Sequence, residues 1–149
     1  MSVGEAGRLQ ATVMRPLFDT LHFAVPAAAH HCARGRALLL EALSEQGNGV
    51  LVLLRYGDSL AIGPVPLIAL GDSVAPRGAN VGVRYMKGDI AHGVLLDSGS
   101  VEVTAVGPAL AARVRGSGLE AGQRLGVDAA YTGVRRPPPG DTVPCGYML

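Results

Sequence analysis

Tryptophan is absent from this 149-residue chain, phenylalanine occurs twice, and lysine is represented by Lys87 alone. Charged residues are scarce at 17%, with a formal net charge of +1, and cysteine occurs only at Cys32 and Cys145. The near-neutral balance excludes nucleic acid as a primary partner, because binding phosphates needs a clustered excess of Lys and Arg. Apolar residues at 48% exclude intrinsic disorder, which goes with few apolar residues and high charge. No apolar run approaches the roughly 20 residues of a membrane-spanning helix. Glycine (21) and proline (10) are plentiful and punctuate short apolar runs, as in an all-β domain with many turns.

The clearest element is Ser100-Val101-Glu102-Val103-Thr104-Ala105, where polar and apolar residues alternate strictly. On a strand this places Val101, Val103 and Ala105 on one face and Ser100, Glu102 and Thr104 on the other, so one face is buried and one wet. Leu9–Met14 alternates in the same way and stops at Arg15-Pro16; Leu17–Ala24 follows as its hairpin partner, and 26–32 is expected to be a loop or short helical turn. Arg36–Gln46 has the leucine spacing and composition of a helix, but also fits a buried strand Ala37–Ala42 turning through Asn48-Gly49 into Val50–Arg55. The hairpin is preferred, because the continuous VLVLLR run follows directly.

Ala61–Leu70 carries two prolines and is expected to be an edge strand or crossover. Val81, Val83 and Tyr85 alternate on a strand. Ile90–Leu96 is expected to turn through Asp97-Ser98-Gly99 into Ser100–Ala105, and Ala109–Arg115 to end in a loop at Gly116-Ser117-Gly118. Arg124–Val134 closes the series. Residues 135–149 then form an extended proline-rich tail, and residues 1–8 are expected to be a flexible start. Nine to ten strands at this spacing in one domain, residues 1–149, have the rhythm of a sandwich or barrel.

Three of these stretches, Asp97–Thr104 (DSGSVEVT), Leu110–Gly118 and Leu125–Val134 with its VDAAYTGV, together with the opening LQATVM, carry a resemblance. The chain resembles a loose group of small secreted or lipid-anchored bacterial β-sandwich proteins. The resemblance implies an all-β fold and an extracytoplasmic, secreted or periplasmic, location; it implies no catalytic residues. With it, the expected architecture is a single antiparallel β-sandwich of Greek-key or jelly-roll type. Arg15 followed by LFDTLHFAVPAAA has some signal-peptide character, but Asp19, His22 and Pro26 interrupt it. It is read as mature sequence of a chain whose leader is missing or whose start codon is misplaced.

Cys32 precedes most of the strands and Cys145 follows them, so a disulfide joining the ends of the domain is expected, with two unrelated free thiols as the alternative. His30-His31-Cys32 with His92 forms an alternative metal set, or part of a small hydrolase, since imidazole and thiolate ligate zinc. Adjacent residues on an extended chain diverge, however, and Cys-x-x-Cys or His-x-x-x-His spacing is missing. A Cys32, His92, Asp97 triad has no local signature, and there is no Gly-x-Ser-x-Gly elbow. The glycine clusters lack the Gly-Lys-Ser/Thr of a phosphate loop, and Asp58, Asp72, Asp89 and Asp97 read as turn formers rather than calcium ligands. Arg113 and Arg115 share an outward strand face and are the candidate ligand-facing residues, for an anionic glycan or polymer.

No enzyme activity, metal or cofactor is expected. The chain is expected to be a non-catalytic binding or structural module of a bacterial cell envelope. Its partner would be a protein or glycan, and one version has it assembling with copies of itself through edge strands.

Overall fold

The computed structural model describes residues 7–15, 19–72 and 74–145. They form ten strands: β1 Gly7–Met14, β2 Thr20–Cys32, β3 Ala37–Leu43, β4 Gly49–Tyr56, β5 Gly63–Pro66, β6 Arg77–Lys87, β7 Ile90–Val106, β8 Ala109–Glu120, β9 Gln123–Arg135 and β10 Thr142–Val143. Among the described residues no helix is long and apolar enough to cross a membrane. The expected flexible start falls mostly outside the described residues, but Gly7 and Arg8 belong to β1.

The ambiguous Arg36–Gln46 segment is a strand. Leu38, Leu40 and Ala42 face the core, and Leu39 on the opposite face is equally buried. Leucines buried on both faces, with a ladder partner on each edge, override the helical propensity of the composition. The turn that follows is closed by Ser44: its N–H donates to the Asn48 carbonyl (2.8 Å), and its Oγ accepts from the Asn48 N–H (3.1 Å). Gly47 supplies the positive φ of 93°.

Successive barrel strands pair antiparallel with their sequence neighbours, and β1 pairs with both β2 and β9. The sheet therefore closes into an eight-strand up-and-down barrel, with β5 and β10 as additions on β7 and β2. This corrects the expected sandwich of Greek-key or jelly-roll type. Alternation tells which face a residue shows, but not which strands are neighbours, and both architectures share the same alternation.

The corners come from long strands. β2 pairs through Gly7–Met14 of β1 over its first half and with β3 over its second. The 17-residue β7 pairs with β6 near its start and with β8 farther on. Three expected breaks, the turn at Asp97-Ser98-Gly99 and the loops at 26–32 and Gly116-Ser117-Gly118, are thus interior to strands. Asp97 is a bulge in β7, Ser98 and Gly99 pair with Ser117 and Gly116 of β8, and Pro26–Cys32 continues β2. The glycines are needed because the backbones touch there. A Cβ on Gly99, whose φ is 121°, would lie 2.1 Å from the Arg115 carbonyl oxygen, and one on Gly116 would lie 2.3 Å from that of Ser98.

Inward-facing aliphatic residues fill the barrel. A cavity among Leu38, Leu54, Val103, Leu110 and Tyr131 measures about 10 Å³, barely the space for one water molecule. Tyr131 lies across the interior from β9 and donates its hydroxyl to the Val50 carbonyl of β4. Burial pushes its phenol pKa far above the ordinary value. Outside the barrel, the segment after β5 packs on β6: Asn80 Nδ2 donates to the Ile68 carbonyl (2.8 Å), and Ile68 fills the space above Gly78.

Replacing Gly99 with Ala should destabilise the fold by about 2–4 kcal/mol, from strained φ and forced separation of β7 and β8. The thermal midpoint should fall by about 5–15 °C. Gly107→Ala, where nothing lies within 4 Å of the new methyl, should leave the midpoint nearly unchanged.

Candidate functional site

The two ends of the barrel carry different chemistry. At one end, Cys32 closes β2 and is bonded to Cys145, with a Cα–Cα distance of 5.4 Å across 113 residues of sequence. The short strand β10 runs parallel to the end of β2, so the proline-rich tail is carried back along it. His31 holds the tail through its Nε2, 3.1 Å from the Pro137 carbonyl oxygen.

His30 points to the other face of β2 and sits between two carboxylates. Its Nδ1 is 3.1 Å from Asp141 Oδ1 and its Nε2 3.0 Å from Glu41 Oε1. Only a protonated ring donates to both. Burial pulls its pKa down, but the hydrogen bonds and charges of Asp141 and Glu41 together outweigh that and raise it.

His92 opens β7 at the opposite end from Cys32, as the strand directions require. His30, His31, Cys32 and His92 therefore do not converge. Among the described residues no group of three or more His, Cys, Asp or Glu is placed to hold a metal ion. The Cys32, His92, Asp97 combination is dispersed too. Cys32 sulfur is committed to its bridge, and Asp97 is exposed and paired with Arg124 at 2.6 Å. Asp72 acts as a turn former, its Oδ1 accepting from the N–H groups of Val74 (2.8 Å) and Ala75 (2.9 Å), which lowers its pKa.

Arg113 and Arg115 lie on the outer surface. Arg113 donates twice to Asp128, at 3.2 and 3.0 Å, and Arg115 approaches the same carboxylate at 4.0 Å. Arg113 and Asp128, but not Arg115, border a shallow depression of about 650 Å³ over β2, β1, β9 and β8 that also includes Gln10, Thr12 and His22. Because Asp128 already occupies the Arg113 guanidinium, the surface presents mixed donors and acceptors rather than bare positive charge.

Sequence reasoning missed a connected group of polar side chains. Arg15, Tyr85, His92 and Glu120 occupy inward-facing positions where β1, β6, β7 and β8 reach the end away from the disulfide. The Tyr85 hydroxyl donates to Glu120 Oε1, and His92 Nδ1 lies 2.5 Å from Glu120 Oε2. The Tyr85 and His92 rings, directly paired across the ladder, stack at 4.8 Å, and the Arg15 guanidinium carbon lies 5.3 Å from the Tyr85 ring centre. Burial first and then Glu120 push the Tyr85 phenol up to about 12, so it stays protonated and donating. Burial pushes the Glu120 carboxyl up, but hydrogen bonds from Tyr85 and His92, with the charges of His92 and Arg15, bring it below its ordinary value. The signal was present in the alternation: carried through Gly116 and Gly118, the inward parity of Val114 leads to Glu120. Reading those glycines as a loop hid it.

These four side chains form a polar closure over an aliphatic interior. Glu120 orients the His92 ring through Nδ1, and both carboxylate oxygens are engaged.

Two pH responses of opposite sign follow. The stabilisation linked to Glu120 is fully present above its unfolded value of 4.5 and is lost as pH falls through the lower folded value. Glu120→Gln should accordingly flatten the acid limb of thermal midpoint against pH. The stabilisation linked to His30 is fully present below 6.5 and is lost as pH rises through its raised folded value. His30→Gln should remove that decline, checked by melting curves from about pH 6 to about pH 8. No protein-family model matches this chain, and no significant match is found among curated proteins or solved structures.

Proposed function

We propose that the protein is a non-catalytic binding or structural module of a bacterial cell envelope, working in an extracytoplasmic, oxidising compartment. The observation that carries this reading is the Cys32–Cys145 disulfide, which ties the end of β2 to the tail beyond β9. Such bridges persist where thiols are not kept reduced, and the sequence resemblance to secreted or lipid-anchored bacterial β-sandwich proteins, although the fold is a barrel, implies the same compartment.

The interior supports a surface role. The inner cavity among Leu38, Leu54 and Tyr131, at about 10 Å³, is too small for a ligand, whereas the outer surface carries a depression of about 650 Å³. The side chains that suggest catalysis are engaged elsewhere: Cys32 in its bridge, both His30 nitrogens with carboxylates, and His92 with Glu120 at the far end. The outer depression edged by Gln10, Thr12, His22 and the Arg113–Asp128 pair offers hydrogen-bonding groups of both kinds, suited to a protein or glycan partner.

Fractionation of the source cells, with thiol alkylation at lysis, tests the reading. The expected result is protein in the envelope fraction that takes up alkylating reagent only after reduction; cytoplasmic protein with two reactive thiols would overturn it. Cys32→Ser combined with Cys145→Ser should cost about 2–5 kcal/mol, seen as a lower thermal midpoint of the oxidised protein's variant.

A further inference from the structure

We propose that the first half of β2 is an interaction edge, and that it pairs antiparallel with the same segment of a second copy of the chain. The inference comes from following the backbone hydrogen bonds of β2 along both of its edges. Odd-numbered residues face β1 and β10: the His31 N–H donates to the Asp141 carbonyl (3.0 Å) and the Ala33 N–H to the Val143 carbonyl (2.9 Å), on the edge opposite β3. Even-numbered residues therefore face β3, where Ala28 and His30 pair with Glu41 and Leu39.

That second ladder stops at Pro26. Proline has no N–H to give, and β3 itself ends at Leu43, opposite the point where pairing would continue. Upstream, the N–H groups of Thr20, His22 and Ala24 have no strand beside them among the described residues, although β1 pairs along the whole of the other edge. The side chains agree. Leu21 and Phe23 face inward like Val25 and Ala27, yet remain half-exposed where those two are buried, with no strand beside them among the described residues.

This edge lacks the usual protection against strand addition. Thr20–Val25 carries no charged side chain, no proline and no bulge. The additional strands are blunted by contrast: β5 has proline at two of its four positions, and β10 is two residues long.

A second copy fits the edge by its own symmetry. A two-fold axis at His22 sets Thr20 opposite Ala24 of the second copy, and Leu21 opposite its Phe23. It brings no like charges of the segment together and covers the half-exposed apolar pair, and the result is one sheet running through two barrels. The proposal extends the envelope-module reading without depending on it, since assembly and compartment are read by separate measurements.

Analytical ultracentrifugation of the oxidised full chain over a concentration series tests it. The expected result is a mass rising toward twice that of the chain, with Thr20, His22 and Ala24 amides gaining protection from hydrogen exchange as the dimer forms. Leu21 and Phe23 amides, bonded to β1, should be protected throughout. Ala24→Pro removes an edge donor without touching the β1 ladder, and His22→Lys sets two cations face to face across the axis. Each should hold the protein at single-chain mass with unchanged circular dichroism; His22→Lys serves if the proline variant fails to fold. Single-chain mass up to about 1 mM, or dimers of His22→Lys as tight as the parent, would overturn the proposal.

Discussion

Closure of the barrel rests on β1, which is hydrogen-bonded along one edge to β2 and along the other to β9. An open sheet would leave the amides of its first and last strands without partners, whereas here the first strand joins the chain's last long strand to its second. That closure forces the walls to bend. The bends are taken up where β2 and β7 exchange neighbours, and at the bulge by Gly99 where β7 touches Gly116 of β8. The same bending leaves β6 and β7 apart beyond Leu95, and β5 fills the gap, its Gly63–Pro66 pairing with Ser100–Val103 of β7.

The interior created by this closure is packed with aliphatic residues, and polar groups enter it only on strict terms. Tyr131 finds a carbonyl on the far wall, and at one end Tyr85, His92 and Glu120 satisfy one another beneath Arg15. At the other end the polar work is done outside the barrel, where His30 and His31 secure the tail that the disulfide anchors. Side chains that the sequence offered as an alternative metal or hydrolase set, His30, His31 and Cys32, fasten the tail to the end of β2.

Much of the fold was legible because burial on one face leaves a period of two in the sequence. Val101, Val103 and Ala105 announced β7, and the VLVLLR run decided Arg36–Gln46 in favour of a hairpin. Strand partners were not legible, since nothing in LQATVM shows that β1 will meet β9 more than a hundred residues later. Glycine was misread for a physical reason: at Gly99, Gly116 and Gly118 it permits two backbones to touch within a ladder, and local sequence alone cannot distinguish that use from a turn. The Cys32–Cys145 pairing was legible from position, because a bridge between the flanks of the strand series suits any compact arrangement of it. The Arg15, Tyr85, His92 and Glu120 cluster was not, as Tyr85, His92 and Glu120 come from three neighbouring strands and Arg15 reaches them from the end of β1 only when the barrel closes.

The bond between Cys32 and Cys145 also changes what a break in the chain means. Cleavage at any single peptide between them, including the Gly57–Pro76 excursion that carries β5, leaves both fragments on one covalent framework. A molecule nicked there would migrate as intact until a reductant is added, and its severed strands would be kept at the high effective concentration needed to re-form the barrel.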